Sequence, residues 1–374
     1  MPKYKFGDLV HNITEKRSPV AGDEEFYIGL EHLDSGSLRV TRWGSKVALK
    51  GDKLVMRKGD ILFGRRNTYL RRVAIAPHDG LFSAHGMILR AKTERINSEY
   101  LPFFIASDYF MDEAIRISVG SLSPTVNWKE LKELEFTIPT LEAQEKLTKT
   151  LIAANDLKEK YEELLAITDD LVKSQFIELF AEKEYPRCKL SDVCKKITDG
   201  THKTPNYQDQ GIAFISAKNI VDGKLDFSDI KHITQSEYEE IQKRCQLEIG
   251  DLLMSKSGSL GSLAIVETTE PLGLFESLAI IKYDRKLLDG VFLKEQLRSD
   301  KLQEQLMARV KGVAVKHLHL NVISETTIIV PPLEEQIVFS HIVQQTDKSK
   351  FEIKKAIENT SALIKSLMQQ DLTN

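Results

Sequence analysis

The sequence is poor in cysteine, has no long apolar run and carries almost no excess charge of either sign. Its 374 residues include three cysteines, Cys188, Cys194 and Cys245. So odd and sparse a count builds no disulfide framework and suits a reducing cytoplasm. No two of them are spaced C-x-x-C, so a structural zinc site has no support. No stretch of 18 apolar residues occurs, which excludes a membrane-spanning helix. Met1 to Val10 lacks the basic stretch and apolar run of a secretory signal, so none is expected there. Fifty-two basic residues stand against 55 acidic ones, a net charge of -3. Taken as one figure, this speaks against a nucleic-acid binder, whose usual footprint is a basic excess.

What is present is apolar material for more than one core: 41% of residues are hydrophobic and 29% charged. At about 150 residues per domain the length allows two to three domains. An internal repeat decides among these, at a period of about 192 residues. Ile138-Pro139-Thr140-Leu141-Glu142-Ala143-Gln144 matches Val330-Pro331-Pro332-Leu333-Glu334-Glu335-Gln336. Gly59-Asp60-Ile61-Leu62 matches Gly250-Asp251-Leu252-Leu253, and Leu81-Phe82 matches Leu274-Phe275. Ser107-Asp108 matches Ser299-Asp300, Gly120 matches Gly312, and Lys5 and Asp8 match Lys189 and Asp192. The matches keep one order along the chain. The period is too long for a solenoid, so the chain is two copies of one domain-plus-helix unit.

Each copy is predicted to be α+β. Short apolar runs at 60–63, 73–76 and 86–89 recur at 251–254, 263–266 and 278–281, bounded by turn-forming residues as strands are. Helical stretches follow near 98–115 and 289–308. Each copy closes on a long helix, about 141–181 and 333–370, free of Gly and Pro. Proline before the first turn and Glu142 or Glu334 within it suit a helix start. Apolar residues recur at heptad spacing: Leu147, Ala154, Leu157, Tyr161, Leu164 and Leu171 in the first helix, Val343, Ile353, Ile357, Ile364 and Leu367 in the second. Thr168, Gln175, Lys350 and Thr360 are polar breaks in those series. A helix of about 40 residues is roughly 60 Å long and cannot bury its stripe alone. The expected arrangement is two similar domains joined by two long paired helices, a coiled-coil spacer. Its boundaries are 1–138, 139–184, 185–330 and 331–374. Each helix packing on its own domain is the alternative.

Charge is uneven along this plan. Residues 141–184 carry 11 acidic and 6 basic side chains, and residues 333–374 carry 6 and 5. The two helices therefore hold -6 and the rest of the chain +3. The basic residues cluster: Gly64 to Arg72 contains Arg65, Arg66, Arg71 and Arg72, with Asn67 and Tyr69 between them. Arginine reads guanine bidentately, asparagine reads adenine, and both reach phosphates. A solvated hairpin is the plainer reading of the same loop. The equivalent loop, Lys256 to Ser262, offers Lys256, Ser257 and Ser259, without the G-x-x-x-x-G-K-[ST] of a phosphate loop. Asp199 to Pro205 is a polar loop presenting Thr201, His202 and Lys203. Before the long helices, Ser121, Ser123, Thr125 and Asn127 occupy positions equivalent to the segment of Lys311, Lys316 and His317. Lys218 and Asn219 complete the candidate DNA contacts. His317 and His319, two apart, are expected on one face of a strand; no third metal ligand is identifiable.

No H-E-x-x-H, G-x-S-x-G or Walker A pattern occurs, nor an Asn-Pro-Pro-aromatic tetrapeptide or a glycine-rich S-adenosylmethionine signature. Duplicated domains on a helical spacer describe a reader better than a catalyst. Over its whole length the chain resembles the DNA-specificity subunits of type I restriction-modification systems. The likeness rests on the Pro-Pro-Leu-Glu-x-Gln start at Pro331 to Gln336 and its variant at Pro139 to Gln144, where Thr140 and Ala143 depart from the pattern. It rests also on the repeated Gly-Asp-Ile/Leu-Leu strand, on Asp199 to Pro205 and on Tyr27 to Leu33. The resemblance implies two target-recognition domains, each reading half of a split double-stranded DNA sequence, with antiparallel helices setting the spacing. It implies a non-catalytic cytoplasmic subunit without cofactor or metal. Two modification subunits would use S-adenosylmethionine, and two restriction subunits ATP and Mg. The alternatives are a specificity subunit whose partner fuses methyltransferase and nuclease, a DNA-binding regulator acting without enzymes, and an enzyme with a dispersed site.

Overall fold

The computed structural model describes residues 1–181, 183–309 and 317–373, with side chains of the last helix described to residue 369. The chain divides into two compact units, residues 1–163 with 353–374, and residues 164–352. In the first, a four-stranded antiparallel sheet has the order Val10–Ile13, Met87–Ala91, Ile61–Phe63, Val73–Ile75. Its central strands are buried on both faces, which is why they read as continuous apolar runs. Ile61 and Phe63 face a core shared with the helices, while Leu62 faces a second sheet. That second sheet runs Lys16–Arg17, Lys53–Met56, Gly80–Phe82, Tyr27–Ile28, the last pair parallel. Lys3–Lys5 pairs with Glu135–Thr137 and ties the start of the domain to its end.

The second unit repeats the antiparallel sheet strand for strand, but its second sheet has three strands, with Lys231–Ile233 paired to Ile212–Ile215, and a separate hairpin of Ile220–Val221 with Lys224–Leu225 is added. Cys194–Asp199, Leu278–Tyr283, Leu252–Ser255 and Leu263–Ile265 form the antiparallel sheet. Leu252 and Met254 face one core and Leu253 the other. Ile212–Ile215 pairs parallel with Leu272–Leu274, and Arg187–Lys189 pairs with Thr327–Ile329. The repeated Gly-Asp is a turn device. Gly59 and Gly250 have φ of 87° and 85°, where a side chain would be strained. Buried Asp60 and Asp251 then accept the N–H of Arg57 (2.9 Å) and Glu248 (2.8 Å) and pair with Arg90 and Lys282.

Each expected helical stretch before the spacer is two helices, not one. Leu101–Ala106 and Asp108–Arg116 meet at Ser107, whose hydroxyl caps Phe110 N–H at 3.3 Å. Gly290–Arg298 and Asp300–Ala308 meet at Ser299. The repeated Ser-Asp marks this break, since serine favours caps over helix interiors.

The long helices are Leu141–Phe180 and Leu333–Thr373. In the first unit Leu147 and Leu151 share a core with Met368, Ile364 and Leu367. In the second, Val172, Phe176 and Phe180 share one with Phe339 and Val343. The start of one helix thus lies with the end of the other, an antiparallel pairing within each unit. The expected stripe of the first helix needs correction: Leu157, Leu164 and Leu171 are exposed. The inward line is Leu147, Leu151, Ala154, Thr168 and Val172. Two neighbouring heptad series both satisfy the spacing. The inner one contains Lys158, whose stem is covered and whose ammonium donates to Gly36 O at 2.6 Å. In the second helix Val343, Ile353 and Thr360 are buried as expected, and Lys350 pairs with Asp169 at 2.6 Å.

Gln144 and Gln336 are wholly buried, a role the motif itself did not reveal. Gln336 accepts Asp289 N–H (2.9 Å) and donates to the carbonyls of Leu287 (2.9 Å) and Pro331 (2.7 Å). Gln144 accepts Asn97 N–H (2.7 Å) and donates to Pro139 O (2.8 Å). In both copies the repeated glutamine rivets the long helix to the domain before it.

Candidate nucleic-acid interface

In the first unit two of the sequence-selected segments form one surface. The loop between Ile61–Phe63 and Val73–Ile75 is clamped to residues 119–127: Val126 N–H donates to Arg65 O (3.0 Å) and Asn67 N–H to Pro124 O (2.7 Å). Thr125 bridges both Arg66 and Val119, and Arg66 reaches Ser123 Oγ at 3.4 Å. Arg66, Tyr69, Ser121 and Asn127 are exposed; Arg65, Asn67, Ser123 and Thr125 are half-buried. Asn67 and Arg71 have φ of 53° and 49°, two of the three non-glycine residues in the left-handed region among the described residues. Buried Arg65 Nε, Asn67 Oδ1 and Arg72 Nε have no hydrogen-bond partner. Such strain and unmet polarity persist only where the surroundings enforce them, and they concentrate at functional sites.

The four arginines are not four free cations. Arg71 pairs with Asp108 (2.8 Å) and with Asp112 on the helix Asp108–Arg116. Arg72 donates to Leu30 O at 2.9 Å and to Arg66 O at 3.3 Å. Both hold the loop to the domain, leaving Arg65 and Arg66 for a ligand.

The second unit repeats the clamp with different chemistry. Leu318 N–H donates to Lys256 O at 2.8 Å, the counterpart of Val126 and Arg65. Lys256 itself is a correction: it is 2% exposed, and its ammonium lies 2.5 Å from Asp199. Asp199 also takes Arg244 at 2.6 Å. Burial works against the Asp199 charge, but the Lys256 and Arg244 hydrogen bonds and charges outweigh it and hold the carboxyl below its usual range. Arg244 in turn meets His202 Nε2 at 3.0 Å, and His202 Nδ1 meets Glu276 at 2.7 Å. The surface cations here are half-exposed Arg244 and exposed Lys203, with the His202 ring between Arg244 and Glu276. Arg244 was not among the residues singled out. It ends the helix Gln235–Arg244, which has no counterpart in the first unit, so the repeat did not point to it.

Asn219 is a second correction. It is buried, its Oδ1 accepting Ser216 N–H (3.0 Å) and its amide donating to Asp226 O (3.1 Å). His32 does the same for Gly29 N–H (3.0 Å) in the first unit, so both are turn-holders. Lys218 is exposed and paired with Asp229 at 2.6 Å. Thr201 is tied to the Lys203 backbone, Ser257 is half-buried, and Ser259 is exposed. His317 and His319 lie in an irregular segment before the helix Leu320–Ser324, not on a strand, with ring centroids 5.3 Å apart. Burial, then the charges of Lys256 and His319, lower the His317 pKa. No group of three or more His, Cys, Asp or Glu that could hold a metal occurs among the described residues. Lys311 and Lys316 lie outside the described residues. No described helix is long and apolar enough to cross a membrane.

The family described as type I restriction modification DNA specificity domain matches residues 3–165 and 182–360, one match per copy of the repeat. The chain belongs to this family. It is similar to the type I restriction enzyme MjaVIII specificity subunit of Methanocaldococcus jannaschii, 20% identical over 94% of this chain and 89% of that one. It is 28% identical to the EcoBI specificity subunit of Escherichia coli over 43% of this chain, a match spanning 34% of that protein. A crystal structure of a type I restriction-modification S subunit from M. genitalium shares the fold, with a TM-score of 0.59 at 14% identity, over 99% of this chain and 96% of that one.

Proposed function

We propose that this chain is the DNA-reading subunit of a type I restriction-modification complex, each domain contacting one half of a bipartite double-stranded target. The observation that carries this is the duplicated clamp. In both units the loop after the Gly-Asp strand is pinned to the segment before the helical spacer, and basic side chains gather beside it. In the first unit that loop also stores backbone strain and unmet polar atoms. The long helices would fix the half-site separation, as a rigid spacer fixes the docking register of two readers.

The chain acts in this reading without catalysis or cofactor, in the cytoplasm where its DNA lies. Two modification subunits supply S-adenosylmethionine and methylate an adenine extruded from the duplex. Two restriction subunits supply ATP- and Mg-dependent translocation and cleavage. The acidic first helix, with Leu164, Ile167 and Leu171 exposed on one face, offers such partners a surface. The test replaces residues 1–135 by the equivalent region of a relative and maps methylated sites in cells. One half of the motif is expected to change, with the other half and the spacing kept. An unchanged motif, or scrambling of both halves, overturns the two-reader assignment.

A further inference from the structure

Leu122 is 94% exposed, the most solvated of the large hydrophobic side chains among the described residues. It sits at the apex of a hairpin closed by Val119 and Thr125, which exchange both backbone hydrogen bonds (3.1 and 2.9 Å). Gly120, at φ 117°, makes the turn possible. The stem is not loose. Thr125 bridges Arg66, and Pro124 O receives Asn67 N–H, so the hairpin is fastened to the arginine loop.

The chemistry around the apex narrows what it meets. Its chain neighbours Gly120, Ser121 and Ser123 are small or polar and separate it from exposed Val119 at the base of the hairpin, so the two form only a small apolar patch, not the broad face a protein partner needs. Arg66, with Arg65 beneath, lies beside the stem. An apolar apex on a fastened support, with Val119 exposed at the base of the stem and cations alongside, fits a partner whose rim is anionic and whose interior is thin and apolar. Duplex DNA is that partner: phosphates outside, stacked bases within. Leucine is among the side chains that enter base steps as wedges.

Resting on the DNA-reading assignment, we infer that Leu122 is a wedge that enters one base step of the half-site read by the first domain, with Arg65 and Arg66 on the flanking phosphates. The step it opens is unstacked without any bond being made or broken. Sequence preference then follows from how readily that step unstacks, in addition to hydrogen bonds to base edges.

The experiment uses the full chain assembled with its methyltransferase subunits and a duplex carrying the methylation-mapped target. 2-Aminopurine is placed at one position at a time across that half-site, leaving out the adenine that is methylated. With the wild-type chain one position is expected to brighten on binding. Leu122→Ala is expected to leave it dark and to weaken binding about tenfold, the size of one lost base-pair contact. Leu122→Met is expected to restore both. Brightening that persists in Leu122→Ala, or no brightening at any position, overturns the wedge. So does a Leu122→Ala loss that disappears when thymine is replaced by uracil, which identifies a methyl contact. A wild-type complex that binds target and scrambled duplexes equally fails the DNA-reading assignment itself, a separate result.

Discussion

The two globular domains share a central antiparallel sheet and its clamped loop and differ in where their positive charge is spent. In the first, exposed Arg66 and half-buried Arg65 are left for a ligand while Arg71 and Arg72 hold the loop down. In the second, the counterpart of Arg65 is Lys256, buried against Asp199, and the exposed cation is Arg244 from a helix the first domain lacks. Duplication copied the scaffold: the Gly-Asp turn, the clamp and the glutamine rivet. The electrostatics diverged.

The largest effect is expected at the buried pair. Asp199→Ala strands Lys256 in a dry site and should destabilise the second unit by about 3 kcal/mol, read by denaturant unfolding. Replacing both members by apolar residues should recover most of that. A loss as small as that of an exposed pair would show that Lys256 finds water, and would bring the domains closer in kind. The same pair sets a pH dependence. Asp199 has a folded pKa below its ordinary 3.8, so its contribution is present above about that pH and lost as pH falls through the folded value. Asp199→Asn should flatten that acid limb.

Next in size are the rivets. Gln336→Leu and Gln144→Leu each leave a half-buried backbone N–H and a buried carbonyl without a partner and should cost about 2 kcal/mol. Equal losses by thermal unfolding would support one shared device; a loss in only one would break the symmetry. Changing Arg65 and Arg66 together to Ala should reduce DNA affinity and flatten the slope of log K against log salt by about 2. Undiminished affinity removes that loop from the interface. Smallest is Arg71→Ala. It breaks a partly exposed ion pair and should cost under about 1 kcal/mol, with the salt slope unchanged. A flattened slope would return Arg71 to the DNA surface.

Much of this plan was readable in order along the chain. The Gly-Asp and Pro-x-Leu-Glu-x-Gln repeats placed the turns and the helix starts within a few residues, whereas the helix break at the repeated Ser-Asp was read only as a match between the copies. Each is a local device whose physics lies in neighbouring backbone groups. The site was less legible. Lys256 and Asn219 have the right chemistry for DNA contact but point inward, and Arg244 lay outside any repeated pattern. Their roles depend on partners far along the chain: Asp199 is 57 residues from Lys256 and Asp108 is 37 from Arg71.

By itself the sequence determined that there are two α+β copies, each closed by a long helix, because periodicity and turn chemistry act over a few residues. Only the tertiary structure decided which of two interleaved heptad series faces inward, and which cations are consumed by buried carboxylates and which are left for a ligand. Those outcomes turn on burial and on pairing across the fold, where a charge is held by whatever lies opposite it in space, not by what precedes it in the chain.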